Sequence, residues 1–162
     1  MSFDSPERDP RTARYGAARM QMVYVWTDDY SSEASWRLVD WCLTRGADEI
    51  GLAFLGPPYM PDTTWSAVDE MLAPFRRRVA SAGDRWVLTA ESAAALRTVF
   101  RDGLFARTPG ETSIENPTVY RGGVPLLSIV TRDGEGVLHL RPDDATSLAR
   151  AGLPHHERSR HM

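Results

Sequence analysis

The first half of the chain alternates apolar runs with apolar residues at helical spacing. Residues 20–26 (MQMVYVW) form a nearly continuous apolar run rich in β-branched and aromatic side chains, which is typical of a central strand covered on both faces. Ser31 can cap a helix, and Trp36, Val39 and Leu43 then recur at i, i+3 and i+7. The pattern predicts a strand followed by an amphipathic helix.

Two more pairs of strand and helix signals follow. Residues 50–55 (IGLAFL) indicate a second buried strand, and residues 85–88 indicate a third. A stripe that begins at Trp65 predicts a second helix, and Thr89 is a suitable N-cap for a third helix that ends near Gly103. Because β-α-β crossovers join parallel strands, the first half is expected to be a small open parallel sheet of the form β-α-β-α-β.

The second half has a different pattern. Short apolar segments at residues 118–120, 124–131 and 137–140 are separated by turn residues, including the Gly-Gly pair at 122–123. This spacing predicts an antiparallel three-strand meander. Pro142 then opens a short C-terminal helix. The predicted class is mixed α/β, with a parallel first half and an antiparallel second half.

Apolar periodicity also sets the predicted domain limits. The chain has 162 residues, 42% of them hydrophobic, which suits one globular domain. Residues 1–19 and 155–162 lack periodicity and are predicted to be disordered tails. Residues 20–154 are therefore expected to form a single domain.

Composition excludes several classes of function. All 19 Lys+Arg residues are Arg, so Schiff-base chemistry and the P-loop lysine are excluded. Cys42 is the single cysteine, which rules out an intrachain disulfide and favours a reducing compartment. The sequence contains neither a secretory h-region nor an apolar run long enough to span a membrane, so a cytoplasmic location is expected. A net charge of −3 gives no support to nucleic-acid or membrane binding.

Acidic and aromatic residues follow the predicted strands. If the sheet were parallel, the carboxyl ends of the strands would meet at one rim, where ligands commonly bind. Carboxylates beside aromatic rings could hold an arginine of a partner, an amine or a divalent cation. The shortlist after the three strands is Asp28, Asp29 and Tyr30, then Tyr59 and Trp65, then Glu91. Tyr120 and Arg121 in the meander form a second candidate surface for a partner.

Each candidate also has a structural explanation. Asp28 and Asp29 could simply satisfy backbone N–H groups in the turn before the first helix. There is no G-x-S-x-G elbow, and His139 is the one histidine inside the predicted domain. Cys42 lies within a predicted helix, where an unreactive buried thiol is the usual finding.

These patterns favour a small cytoplasmic protein that acts through protein-protein recognition, as an immunity, adaptor or inhibitor protein does. Its expected partner is another protein, with a basic surface, and no metal or other cofactor is expected. One alternative is a small enzyme that uses Asp28, Asp29 and Glu91 for acid-base or divalent-metal chemistry. Another is a sensor that binds a small ligand at the same rim without turnover.

Overall fold

A computed structural model describes residues 19–54, 69–77, 85–101, 103–105 and 114–161. In these residues, helices pack on a single sheet. The strands are β1 (Gln21–Trp26), β2 (Glu49–Phe54), β3 (Arg76–Arg77), β4 (Arg85–Val87), β5 (Ile114–Arg121), β6 (Val124–Val130) and β7 (Glu135–Leu140). The helices are α1 (Ser32–Thr44), α2 (Ala90–Val99) and α3 (Pro142–Ala151), and residues 69–72 are also helical.

The seven strands lie in the order β1-β7-β6-β5-β2-β4-β3, and every neighbouring pair is antiparallel. The predicted parallel first half is therefore wrong, whereas the antiparallel meander of β5, β6 and β7 is present. The expectation that the first strand is central is also wrong, because β1 lies at one edge of the sheet.

The error has a simple topological cause. β1 and β2 do run in the same direction, because four antiparallel steps separate them in the strand order. The meander of β5, β6 and β7 lies between them, so they never become neighbours. A crossover through a helix can therefore link two strands of like direction without forming a parallel pair.

The helices cover one face of the sheet. α1 contacts α2 through the Asp40–Arg97 ion pair (2.9 Å) and α3 through the hydrogen bond from Trp41 Nε1 to Ser147 Oγ (3.1 Å), so the three form one layer. Strand side chains facing this layer are buried, as at Val23, Val25, Val119, Leu127 and Leu138. The alternate side chains are more exposed, including Met22 at 52% and Val130 at 44%. None of the described helices covers this second face.

Local signals in the sequence agree with the structure. Ser31 Oγ accepts a hydrogen bond from the Ala34 N–H at the start of α1 (3.1 Å), as an N-cap does. Gly122 and Gly123 both have positive φ, +58° and +78°, which the tight turn between β5 and β6 requires. In the described part of the chain, no helix has both the length and the apolar character needed to cross a membrane.

Candidate functional site at the edge of the sheet

The outer edge of β1 is occupied by a segment from the other end of the chain. Residues 155–161 (HHERSRH), here called the docked segment, turn around this edge after α3. Tyr24 N–H donates to the His156 carbonyl, and His156 N–H donates to the Tyr24 carbonyl, both at 2.7 Å. This reciprocal pair satisfies backbone groups that an edge strand otherwise leaves free.

Trp26, the last residue of β1, is the aromatic contact of the docked segment. The His156 ring stacks on the Trp26 ring, with centroids 3.5 Å apart and planes inclined by 14°. The Arg160 guanidinium carbon lies 5.2 Å from the Trp26 centroid, within the range of a cation–π contact. Two side chains of the docked segment therefore share one indole.

Three carboxylates complete the contact. Asp29 Oδ2 lies 2.7 Å from His156 Nε2, and Asp28 Oδ2 accepts from Arg160 Nη2 at 3.0 Å. Glu135 is 7% exposed and accepts from the Ser159 hydroxyl (2.6 Å) and the Arg160 N–H (2.7 Å). We call these carboxylates, together with Trp26 and the outer side of β1, the acidic edge.

Tyr30 anchors the chain just before the docked segment begins. Its hydroxyl donates to the Pro154 carbonyl at 2.6 Å, and its ring meets Phe105 edge to face at 5.5 Å. Burial, together with the nearby Cys42 and Asp29, raises the pKa of Tyr30, so the hydroxyl stays protonated and remains a donor. Asp28, Asp29 and Tyr30, shortlisted together from the sequence, all contact residues 154–160.

The other carboxylate of the shortlist lies far from this edge. Glu91 is exposed in the first turn of α2, directly after β4. Five strand spacings separate β1 from β4, which corresponds to about 24 Å. The odd number of antiparallel steps also places the carboxyl ends of β1 and β4 at opposite ends of the sheet. Convergence of Asp28, Asp29 and Glu91, which required a parallel sheet, is therefore wrong.

The remaining shortlisted residues lie elsewhere. Tyr59 and Trp65 are outside the described residues. Tyr120 lies on the face of the sheet away from the helices, and the Arg85 guanidinium carbon is 3.8 Å from its ring centroid. The buried Glu49 beside it pairs with Arg77 and, at 3.5 Å, with Arg85. Arg85, the cation above the Tyr120 ring, thus belongs to a group of ion pairs within the chain.

Arg121 belongs to a group of ion pairs around the buried Asp144 that links β5, the C-terminal end of α1 and the start of α3. Its Nη2 donates to Asp144 Oδ2 at 3.0 Å, while Arg45 Nε donates to Asp144 Oδ1 at 2.8 Å and Arg141 N–H to Oδ2 at 2.8 Å. Burial by itself would raise the pKa of Asp144, but these donors outweigh it and lower the pKa to about 2. Arg121 is therefore engaged at the start of α3 and not at the acidic edge.

The nucleophile and metal candidates give no second site. Cys42 is buried, and burial raises the pKa of its thiol to about 12, which keeps the sulfur protonated. His139 pairs with Met22 on the face of the sheet away from the helices. Within the described ranges, no group of three His, Cys, Asp or Glu side chains is arranged to hold a metal ion.

Sequence reasoning missed three residues of this edge: Trp26, His156 and Arg160. Trp26 ends an apolar run that predicts a strand, and His156 and Arg160 lie in a stretch without apolar periodicity. The available signal was charge, since a basic run that includes three histidines ends a chain whose Asp28–Asp29 pair follows the first strand. The predicted limit of the domain at residue 154 stays a prediction, although residues 155–161 contact the rest of the chain.

Comparison of the chain with protein-family models, with curated proteins and with solved structures found no match.

Proposed function

We propose that this chain works by binding another protein and that the acidic edge is the surface that binds it. A single observation carries the proposal: a basic stretch of seven residues lies along this edge, where it is held as a bound peptide would be. The cytoplasmic location expected from the single cysteine belongs to the same proposal.

The contacts favour an extended protein segment as the ligand. Backbone pairing at Tyr24 is the mode by which peptides add to an exposed sheet edge, and it gives affinity without regard to side chains. The Trp26 ring and the carboxylates of Asp28 and Asp29 then select for a ring and for positive charge. Such charge complementarity steers association and rejects acidic partners.

The acid-base alternative has less support. It needs Asp28 and Asp29 close to Glu91, but Glu91 follows β4, five strands away from β1 and at the opposite end of the sheet. No contact among the described residues orients either aspartate toward a reacting group. Recognition requires only the groups that already bind the docked segment.

The proposal is tested with the full chain carrying His156→Ala and Arg160→Ala, which weakens the docked segment. The probe is a synthetic peptide of residues 153–161 (LPHHERSRH), followed by calorimetry and by NMR of the Trp26 indole. We expect saturable binding that shifts the Trp26 signal. Adding Asp28→Asn or Glu135→Gln should weaken it at least about tenfold, since each removes a charge-assisted hydrogen bond.

Glu91→Gln is the matched control, because it removes one carboxylate at a distance from the edge. It should leave the affinity unchanged. The absence of saturable binding, or equal losses in the Glu91 and Asp28 variants, would overturn the proposal.

A further inference from the structure

If the proposed function is correct, the contacts of the docked segment indicate which side-chain groups the partner presents. We infer that residues 155–161 are a built-in competitor of the partner, and that the partner segment presents the same two groups: a flat ring and, four residues later, an arginine. The inference rests on the proposed function and adds to it the pattern of the ligand and the regulation of the site.

The first group is the ring at the position of His156. The nearly parallel stack on Trp26 at 3.5 Å needs a flat ring, which His, Phe and Tyr all provide. The backbone of the same residue pairs with Tyr24 in both directions, so the ring enters the site from a fixed extended conformation. A small side chain at this position would leave the Trp26 face open.

The second group is the arginine at the position of Arg160. One guanidinium reaches Asp28 Oδ2 at 3.0 Å and the Gly134 carbonyl at 3.4 Å, and it also lies against the Trp26 ring. A planar fork with several N–H donors makes these contacts together, whereas a lysine ammonium would supply mainly charge. The N–H of the same residue donates to Glu135, which fixes its distance from the ring.

The docked segment fits this edge incompletely. Trp26 Nε1 is buried and has no hydrogen-bond partner in the part of the chain that the structure describes. Burying an indole donor without an acceptor is unfavourable. The Asp28 side chain, although paired, remains 74% exposed. A partner segment that places an acceptor near Nε1 therefore has an advantage over residues 155–161.

The connection to α3 allows the docked segment to leave without unfolding the domain. Leu153 is buried in the core, and the Pro154 carbonyl is held by Tyr30, so the chain is anchored up to residue 154. Every contact of the acidic edge with the docked segment lies beyond that anchor, from His156 onward. Release therefore requires only contacts at the surface of the sheet to break.

Competition of this kind has a measurable size. A tethered segment is present at an effective concentration in the millimolar range for a short connection. The apparent affinity for an external segment equals the intrinsic affinity multiplied by the fraction of molecules in which the site is open. We expect the unchanged chain to bind an external copy of the segment at least about tenfold more weakly than a chain with a weakened docked segment.

The experiment measures fluorescence anisotropy of a fluorescein-labelled LPHHERSRH peptide with three full-length chains: unchanged, His156→Ala with Arg160→Ala, and Arg158→Ala. Arg158 is exposed and belongs to the same segment, so its substitution is matched in charge and position. We expect tight binding only to the double variant. Within the peptide, His156→Phe should preserve binding because it keeps a flat ring. In contrast, His156→Ala or Arg160→Lys should weaken binding at least about tenfold.

The possible outcomes separate the two proposals. Equal affinity for the unchanged chain and the double variant would overturn competition and leave the proposed function standing. Failure of the peptide to bind any of the three chains would overturn both. Binding to the double variant that is insensitive to Arg160→Lys and His156→Ala in the peptide would overturn the pattern of ring and arginine.

Discussion

The guanidinium of Arg160 and the carboxylate of Asp28 lie 3.0 Å apart, although 132 positions separate them in the chain. Because Asp28 lies two residues after the end of the edge strand β1, this ion pair joins the two ends of the described chain across one side of the sheet. Together with the contact of Asp29 with His156, it gives both members of the acidic pair a partner within the same chain.

The buried carboxylate of Asp144 should be essential for stability. It is 1% exposed and binds both Arg45 and Arg121, so replacing it by Asn removes the negative charge that the two guanidinium groups share and leaves Arg45 with the exposed Asp143 alone. We expect Asp144→Asn to lower the free energy of unfolding by about 3 kcal/mol in urea titrations. Asp143→Asn, at a side chain that is 76% exposed, should cost less than about 1 kcal/mol. Equal losses of stability in Asp144→Asn and Asp143→Asn would contradict this role of the buried carboxylate.

The same carboxylate should make stability depend on acid pH. Its pKa is lowered from 3.8 to about 2 in the folded protein, so the unfolded chain takes up this proton first as the pH falls. The stabilisation is complete above about pH 4 and is lost between about pH 4 and pH 2, a change of about 2 kcal/mol. Unfolding measured at pH 5 and pH 2.5 should therefore show a smaller drop for Asp144→Asn than for the unchanged chain. Parallel curves would exclude Asp144 as the cause.

Trp36 should contribute more to stability than any polar residue of its helix. It is 2% exposed within the core, as the spacing of Trp36, Val39 and Leu43 predicts. Trp36→Ala should cost about 3–5 kcal/mol through lost burial and the cavity left behind. Arg37→Ala, at an exposed position of the same turn, should change the free energy of unfolding by less than about 0.5 kcal/mol.

Gly136 is required by close packing between β7 and its neighbours. A Cβ atom at this position would lie 2.9 Å from Val25 Cγ2 and 3.0 Å from the Ser128 carbonyl oxygen, and still closer to Ile129 Cδ1. Because one of these atoms is backbone, relief requires movement of β6, and Gly136→Ala should cost about 1–3 kcal/mol. Circular dichroism melts should show this loss. Val130→Ala, which shortens a nearby exposed side chain, should have little effect.

The helices could be predicted from the sequence because their signals are local. Ser31 caps α1, Thr89 caps α2, and the Trp36 stripe faces the core. Strand order has no local signal, since alternation indicates the face that a side chain takes but not the strand that lies beside it. The insertion of the meander between β1 and β2 is therefore invisible in the pattern of either strand.

The candidate site could be predicted only in part. Asp28, Asp29 and Tyr30 are conspicuous because polar residues follow an apolar run, and all three contact the chain that follows α3. The docked segment has no apolar periodicity because polar contacts and one stacked ring hold it in place. A segment held in this way has no buried apolar face, so the pattern of hydrophobic residues does not indicate it.

Removing residues 155–162 should therefore have a measurable cost. The shortened chain loses two hydrogen bonds to the buried Glu135, the backbone pair at Tyr24 and the stack on Trp26. We expect the free energy of unfolding to fall by about 1–3 kcal/mol, mainly because the Glu135 carboxylate loses its donors.

Arg160→Ala should give part of this loss, and raising the salt concentration should reduce that part, because the Arg160 contact with Asp28 is partly exposed. Arg158→Ala should give none. Thermal and urea unfolding of the four chains decides the matter: if the shortened chain is as stable as the full one, residues 155–161 are not docked in solution.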